Sequence, residues 1–259
     1  MKNNRGKQWT REETILAFDL YCRTPFGKIS ASNKEIIKLA ELLGRTTGSV
    51  ALKMSNLAHY DPDLKARNVN GMAHGSKLDA VIFNEFYKDI EDLAYEARRI
   101  KKSSYGLLEE ELDLSDLSSL PPGEYREVLA KTRIGQYAFR TAILNSYNER
   151  CCVTGLSLQK LLVASHIKPW AVCDESSERT NPCNGLCLNT FHDKAFDLGF
   201  ITIDRGFRII ISSQLKKADM DENTKNWLMK YAGEKITLPD KFIPGLEFIE
   251  YHNDMVFKP

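Results

Sequence analysis

Apolar residues recur every three to four positions along several stretches of the first hundred residues, which is the spacing of one helix face. In TREETILAFDLYCR, Thr10 stands before acids of a first turn, so a capped helix is predicted from there. SNKEIIKLAELLG repeats the design and stops at Gly44. RTTGSVALKMSNLAHYD follows after almost no turn, and two short helices joined so tightly outline a helix-turn-helix. Its last helix would present Thr47, Ser49, Lys53 and Asn56 to DNA, with Arg45 in the turn as a further contact. Helical triplets of this kind are equally common in proteins that never touch nucleic acid. A fourth amphipathic helix is expected from Leu78 to Lys102, ending EARRIKK with bases at its negative pole.

Past Gly123 the pattern changes. TRIGQYAFRTAILNSYNERC reads as a helix of mixed polarity, CCVTG as a tight turn and KLLVASHI as a strand ending in a histidine. A polar loop leads to a second short strand, NGLCLN, and then to a helix, TFHDKAFDLG, stopped by Gly199. FITIDRGFRIIIS predicts a hairpin about Asp204-Arg-Gly206. After it come one more helix, ENTKNWLMKYAG, and a proline-bearing tail. The fold class is therefore α+β: a helical, helix-turn-helix-like domain at 1–102, an acidic and proline-bearing linker at 103–124, and a mixed domain at 125–259.

Composition narrows the function classes. The 259 residues are 27% charged and 42% hydrophobic, as in ordinary globular proteins. No apolar run is long enough to span a bilayer, and the basic start leads into no apolar leader, so a cytoplasmic protein without membrane partners is expected. Six cysteines in such a chain are thiols or metal ligands rather than a disulfide framework. Net charge is only +1, but residues 1–60 hold ten Lys/Arg against five Asp/Glu, whereas 104–120 holds five acids and no base. A basic front end is compatible with nucleic acid.

His166, in ASHIKPW, closes an apolar run just before a Pro-Trp corner. Such a histidine is either a capped core residue or a rigidly held base. A strand ending in His, a loop, a strand opening with Asn and a helix carrying His and Asp make a ββα-metal arrangement. RIGQYAFR, CCVTG, ASHIKPW, NPCNGLCL and HDKAFDLGFITID, in that order across residues 125–215, resemble the HNH endonucleases, in the branch found among restriction enzymes. The start W-T-x-E-E and the run L-G-R-T-x-x-S-V-x-x-K resemble, more loosely, Myb/SANT-like modules.

The chemistry suits the resemblance. Phosphodiester hydrolysis needs a water deprotonated near neutral pH, and imidazole, with an ordinary pKa near ~6.5, matches that task. His166 is thus expected to be the general base. The resemblance implies that Asn184 bridges backbone groups of the loop and fixes the base. The last position of the motif falls on Asp193, with His192 one residue earlier. Asp193 and Asp197 lie four apart on one helix face and could share a cation, with His192 as a further candidate ligand. Carboxylates favour Mg²⁺ or Mn²⁺, one per site, over Zn²⁺. Ser165 stands where many relatives place an acidic ligand. Adjacent Cys151 and Cys152 and the C-x₃-C of Cys183 and Cys187 lack zinc spacing, so no structural zinc is expected.

Arg133, Gln136, Arg140 and Lys131 on the preceding helix, and Lys168 after the base, are candidates to contact phosphates. Alternatively, Arg140 braces the fold by pairing with an acid. The reading is a metal-dependent DNA endonuclease in restriction or phage defence, with cutting of both strands calling for a homodimer in which each chain cuts one strand. Two alternatives stand beside it: an HNH nuclease acting on RNA or structured DNA, and a DNA-binding regulator whose HNH domain is inactive.

Overall fold

The structure, a computed structural model, describes residues 4–67, 75–107, 114, 121–175 and 177–259. Most of the acidic stretch 104–120 therefore lies outside the described residues. The chain forms two compact units, Met1–Ala142 and Ile143–Pro259. The division falls inside the helix Glu124–Ser146.

The first unit is helical. Helix α1 (Arg11–Arg23) opens with a capping box in which Thr10 and Glu13 satisfy each other's backbone amides. Every residue from Glu13 to Cys22 is buried, so this is a central helix rather than a one-faced one. Around it pack α2 (Lys34–Leu43), α3 (Thr47–Ala58), α5 (Lys77–Phe86) and α6 (Ile90–Tyr105), with the short α4 (Pro62–Ala66) after α3. Gly44 closes α2 in the left-handed conformation, and Thr46 caps α3. The single helix expected over 78–102 is two. Asp89 accepts from the Asp92 amide and starts α6 afresh, a local cap that overrides the continuous apolar stripe. Helix α7 (Glu124–Ser146) follows, and in its first part Lys131 pairs with Asp92.

Two residues expected to contact nucleic acid are buried in ion pairs. Arg45 is a buried crosslink: its guanidinium holds Glu13 at 2.6 Å and donates to the carbonyls of Lys7 and Gln8. Lys53 is paired at 2.5 Å with Asp79, and the two side chains are 5% and 0% exposed. Both cations also lie over the Trp9 ring, at 4.3 and 4.9 Å from its centroid. A charge buried against an acid cannot contact a phosphate without breaking the pair.

In the second unit β1 (Leu162–His166) pairs antiparallel with β2 (Gly185–Asn189), placing His166 opposite Gly185. Helix α8 (Thr190–Asp197) packs on both strands. The hairpin is present as β3 (Ile201–Ile203) and β4 (Ile209–Ile211), turned by the Asp204 carboxylate accepting from the amides of Gly206 and Arg208. Next come α9 (Ser213–Lys216), α10 (Glu222–Met229) and α11 (Leu246–Met255). The tail expected to be merely proline-bearing thus ends in a helix. Helix α11 is anchored by buried His252, whose ring stacks on Phe196 at 3.8 Å and whose Nε2 donates to the Phe196 carbonyl at 3.1 Å.

Gly199, just past α8, has φ +74°, and a Cβ there would lie 2.0 Å from the Val256 carbonyl. Backbone cannot yield as a side-chain end can, and the left-handed conformation itself costs an L-residue about 1–2 kcal/mol. Gly199→Ala is expected to lower the unfolding midpoint of the second unit by more than that conformational cost alone, as measured by urea denaturation.

Candidate active site

His166 ends β1 and leads into an irregular excursion that returns at Asn184. Asn184 is fully buried and fastens the two ends together. Its Oδ1 accepts from the Lys168 amide at 2.8 Å, while Nδ2 donates to the carbonyls of Lys168 (3.2 Å) and Glu178 (3.3 Å) and to Cys173 Sγ (3.3 Å). The Asn184 carbonyl in turn accepts from the Ile167 amide at 3.0 Å. Lys168 ties the same loop from outside: its ammonium meets Glu178 at 2.5 Å, and Glu178 also accepts from the Asp174 amide. Lys168, expected at a phosphate, is instead engaged as a loop brace and holds the Glu178 carboxyl below its usual pKa.

This brace sets the histidine. Arg179 follows Glu178, and its carbonyl lies 2.8 Å from His166 Nε2. A carbonyl only accepts, so Nε2 carries the proton and the basic lone pair is on Nδ1. Trp170 meets the imidazole edge-on at 5.4 Å and 87°. Burial pushes the His166 pKa below 6.5, opposed by the bond to Arg179. A base works when neutral, so a lowered pKa extends its range toward acid. If His166 is the base, the acid limb of kcat/KM is expected below pH 6.5, and a pH–rate profile checks it.

Helix α8 is capped by Asn189, whose Oδ1 accepts from the amides of Phe191 and His192. Asp193 is half-buried and Asp197 exposed, one turn apart on the same face. Although the residue as a whole is exposed, partial desolvation of its carboxyl raises the Asp197 pKa, and the neighbouring Asp193 charge raises it further.

His192, expected as a further metal ligand, lies in the core. It is 3% exposed and ringed by Phe191, Trp227 and Tyr231 at 5.0–5.7 Å. Since Asn189 Oδ1 is already the acceptor of two amides, His192 Nδ1 donates to it at 3.1 Å. The ring is a core histidine, its pKa lowered by burial to about 4.

Ser165 is likewise buried on β1, and its Oγ has no hydrogen-bond partner. Cys151, Cys152, Cys173 and Cys187 are buried thiols. Among the described residues no group of three or more His, Cys, Asp or Glu is gathered for a metal. Arg133 is half-buried and Arg140 exposed, both on the part of α7 that belongs to the first unit.

The residues that sequence reasoning missed are Arg179, Glu178 and Cys173. Their contacts span five to thirteen positions across an irregular loop, where no periodicity marks a pair. The group that orients His166 is moreover a backbone carbonyl, which any residue type supplies.

A strand-end histidine, an antiparallel strand pair and a helix bearing two carboxylates make a ββα arrangement. Residues 151–204 match the family model of the HNH endonucleases, so this segment is similar to an HNH endonuclease domain. Among solved structures, a modification-dependent TagI restriction endonuclease is similar at 16% identity and a TM-score of 0.32, over 46% of this chain and 37% of that one. The chain thus spans little more than a third of that protein's length. No curated protein matches the chain. No described helix is long and apolar enough to cross a membrane.

Proposed function

We propose that the chain is a metal-dependent endonuclease that hydrolyses phosphodiester bonds of DNA in restriction or phage defence. The observation that carries this reading is the His166 imidazole, held by the Arg179 carbonyl so that Nδ1 is the basic nitrogen. A water oxygen attacks phosphorus while Nδ1 takes one of its protons. The bond from phosphorus to the leaving 3′-oxygen breaks, and that oxygen takes a proton from solvent. The products are a phosphate monoester and a free hydroxyl. Asn184 acts as a positioning residue, because the loop it fastens supplies the carbonyl that holds the base.

The donor set fits a hard divalent cation. Mg²⁺ keeps most of its waters and takes one or two carboxylates, which is what Asp193 and Asp197 offer. HNH nucleases generally use a divalent metal ion, and here Asp193 and Asp197 would hold it. When bound, it supplies positive charge for the phosphate and the leaving oxygen. The first unit serves as a DNA- or partner-binding module, with Thr47, Ser49 and Asn56 among the half-buried polar positions of α3. Double-strand cutting would join two chains, and sedimentation of the cutting species as a monomer would contradict that.

The test is cleavage of supercoiled plasmid, unmodified and 5-methylcytosine-substituted, against single-stranded RNA, with Mg²⁺ or Mn²⁺. Cutting of DNA that disappears in EDTA is expected. Asp193→Ala should raise the metal concentration for half-maximal rate by at least the ~10–100-fold that loss of an outer-shell partner costs. Cutting that ignores EDTA would contradict the metal, and cutting of RNA alone would change the substrate.

A further inference from the structure

We infer that the Arg179 guanidinium binds the phosphate on which His166 acts; this rests on the endonuclease reading above. Arg179 meets the base directly through its carbonyl and indirectly through Trp170. Its carbonyl accepts from His166 Nε2 at 2.8 Å, and its guanidinium lies 5.5 Å from the centroid of Trp170, the ring that stands edge-on to the same imidazole. A cation is therefore held in the same cluster as the base, against the ring that meets its edge.

The remaining bonds of that cation are incomplete and exchangeable. Arg179 Nε is buried with no hydrogen-bond partner, which is uncommon for a strong donor unless a ligand or water meets it. Nη1 meets Glu175 at 2.6 Å, but the Glu175 side chain is 80% exposed against 27% for Arg179. An ion pair with so hydrated a partner is readily exchanged. Lys168 makes the contrast. Its partner Glu178 is only 24% exposed and also accepts from the Asp174 amide, so that pair is part of the loop's frame.

Guanidinium presents a planar fork that matches two phosphate oxygens, and a fixed donor at a developing negative charge stabilises the transition state. Glu175 then holds the place of the phosphate until substrate arrives. Two acids of the loop thus take opposite roles: Glu178 braces, and Glu175 yields.

The experiment uses the full chain, supercoiled plasmid and Mn²⁺, with kcat and KM measured across pH for Arg179→Ala, Arg179→Lys and Glu175→Gln. Arg179→Ala is expected to lose about 10²–10³ in kcat/KM. Its acid limb should stay in place, because residue 179 still offers its carbonyl to His166. Arg179→Lys recovers part of the loss, and Glu175→Gln lowers KM by removing the competing carboxylate. Nearly wild-type rates in Arg179→Ala would overturn the inference, as would an acid limb that moves with the loss, since the residue would then act only through the base. If Arg179→Ala does not fold, Glu175→Gln decides, and an unchanged or raised KM overturns the inference. Cutting lost in His166→Ala but kept in Arg179→Ala leaves the endonuclease reading standing and removes only this role. Absence of cutting by the wild type with every metal removes both.

Discussion

Replacing His166 by alanine is expected to lower the rate of phosphodiester cleavage by about 10²–10⁴, the usual contribution of a positioned general base. The size follows from how completely the loop fixes the ring. One nitrogen faces the Arg179 carbonyl, one edge faces Trp170, and the loop that carries both is pinned by fully buried Asn184. Stability should change far less than the rate. His166 is only half-buried, and the ties that close the loop, Asn184 to Lys168 and Lys168 to Glu178, do not pass through its side chain. Initial rates and urea midpoints measured on the same preparation separate the two effects. A large loss of stability with an unchanged rate per folded molecule would make the histidine a core residue after all.

Lys53→Ala is expected to show the opposite signature, a loss of about 3–5 kcal/mol in the stability of the first unit. Its partner Asp79 is wholly buried and also accepts from the Ser76 amide at the start of α5. Removing the ammonium strands that carboxylate without a counter-charge, which costs more than the pair contributes when both are present. Denaturation of the wild type and variant measures the loss directly. A phosphate-contacting lysine would behave otherwise: its removal would leave stability nearly unchanged and reduce the salt dependence of DNA binding by about one counterion.

The contrast between these two residues shows what a sequence carries. Local chemistry was readable: Thr10 and Gly44 mark helix ends by their own bonding, and the strand-end position of His166 follows from the apolar run before it. Asn184 was readable because its role is to bridge backbone, which depends little on which residues supply the carbonyls. Partner identity was not readable. Lys53 and Arg45 look like the exposed bases of a DNA-reading helix, and only the fold brings Asp79 and Glu13 to them from 26 and 32 positions away. His192 failed for a similar reason. Its helix face was known, but the aromatic rings that enclose it come from Trp227 and Tyr231 on a later segment. The break between α5 and α6 was lost because a continuous apolar stripe hides a capping aspartate, Asp89.

The most direct measurement is nicking of supercoiled plasmid by the wild type and by His166→Ala, each with Mn²⁺ and with EDTA. Nicking by the wild type in Mn²⁺, absent in EDTA and reduced to near background in His166→Ala, is the expected result. Equal nicking by the two proteins in Mn²⁺ would contradict the assignment of His166 as the base, and with it the site described above.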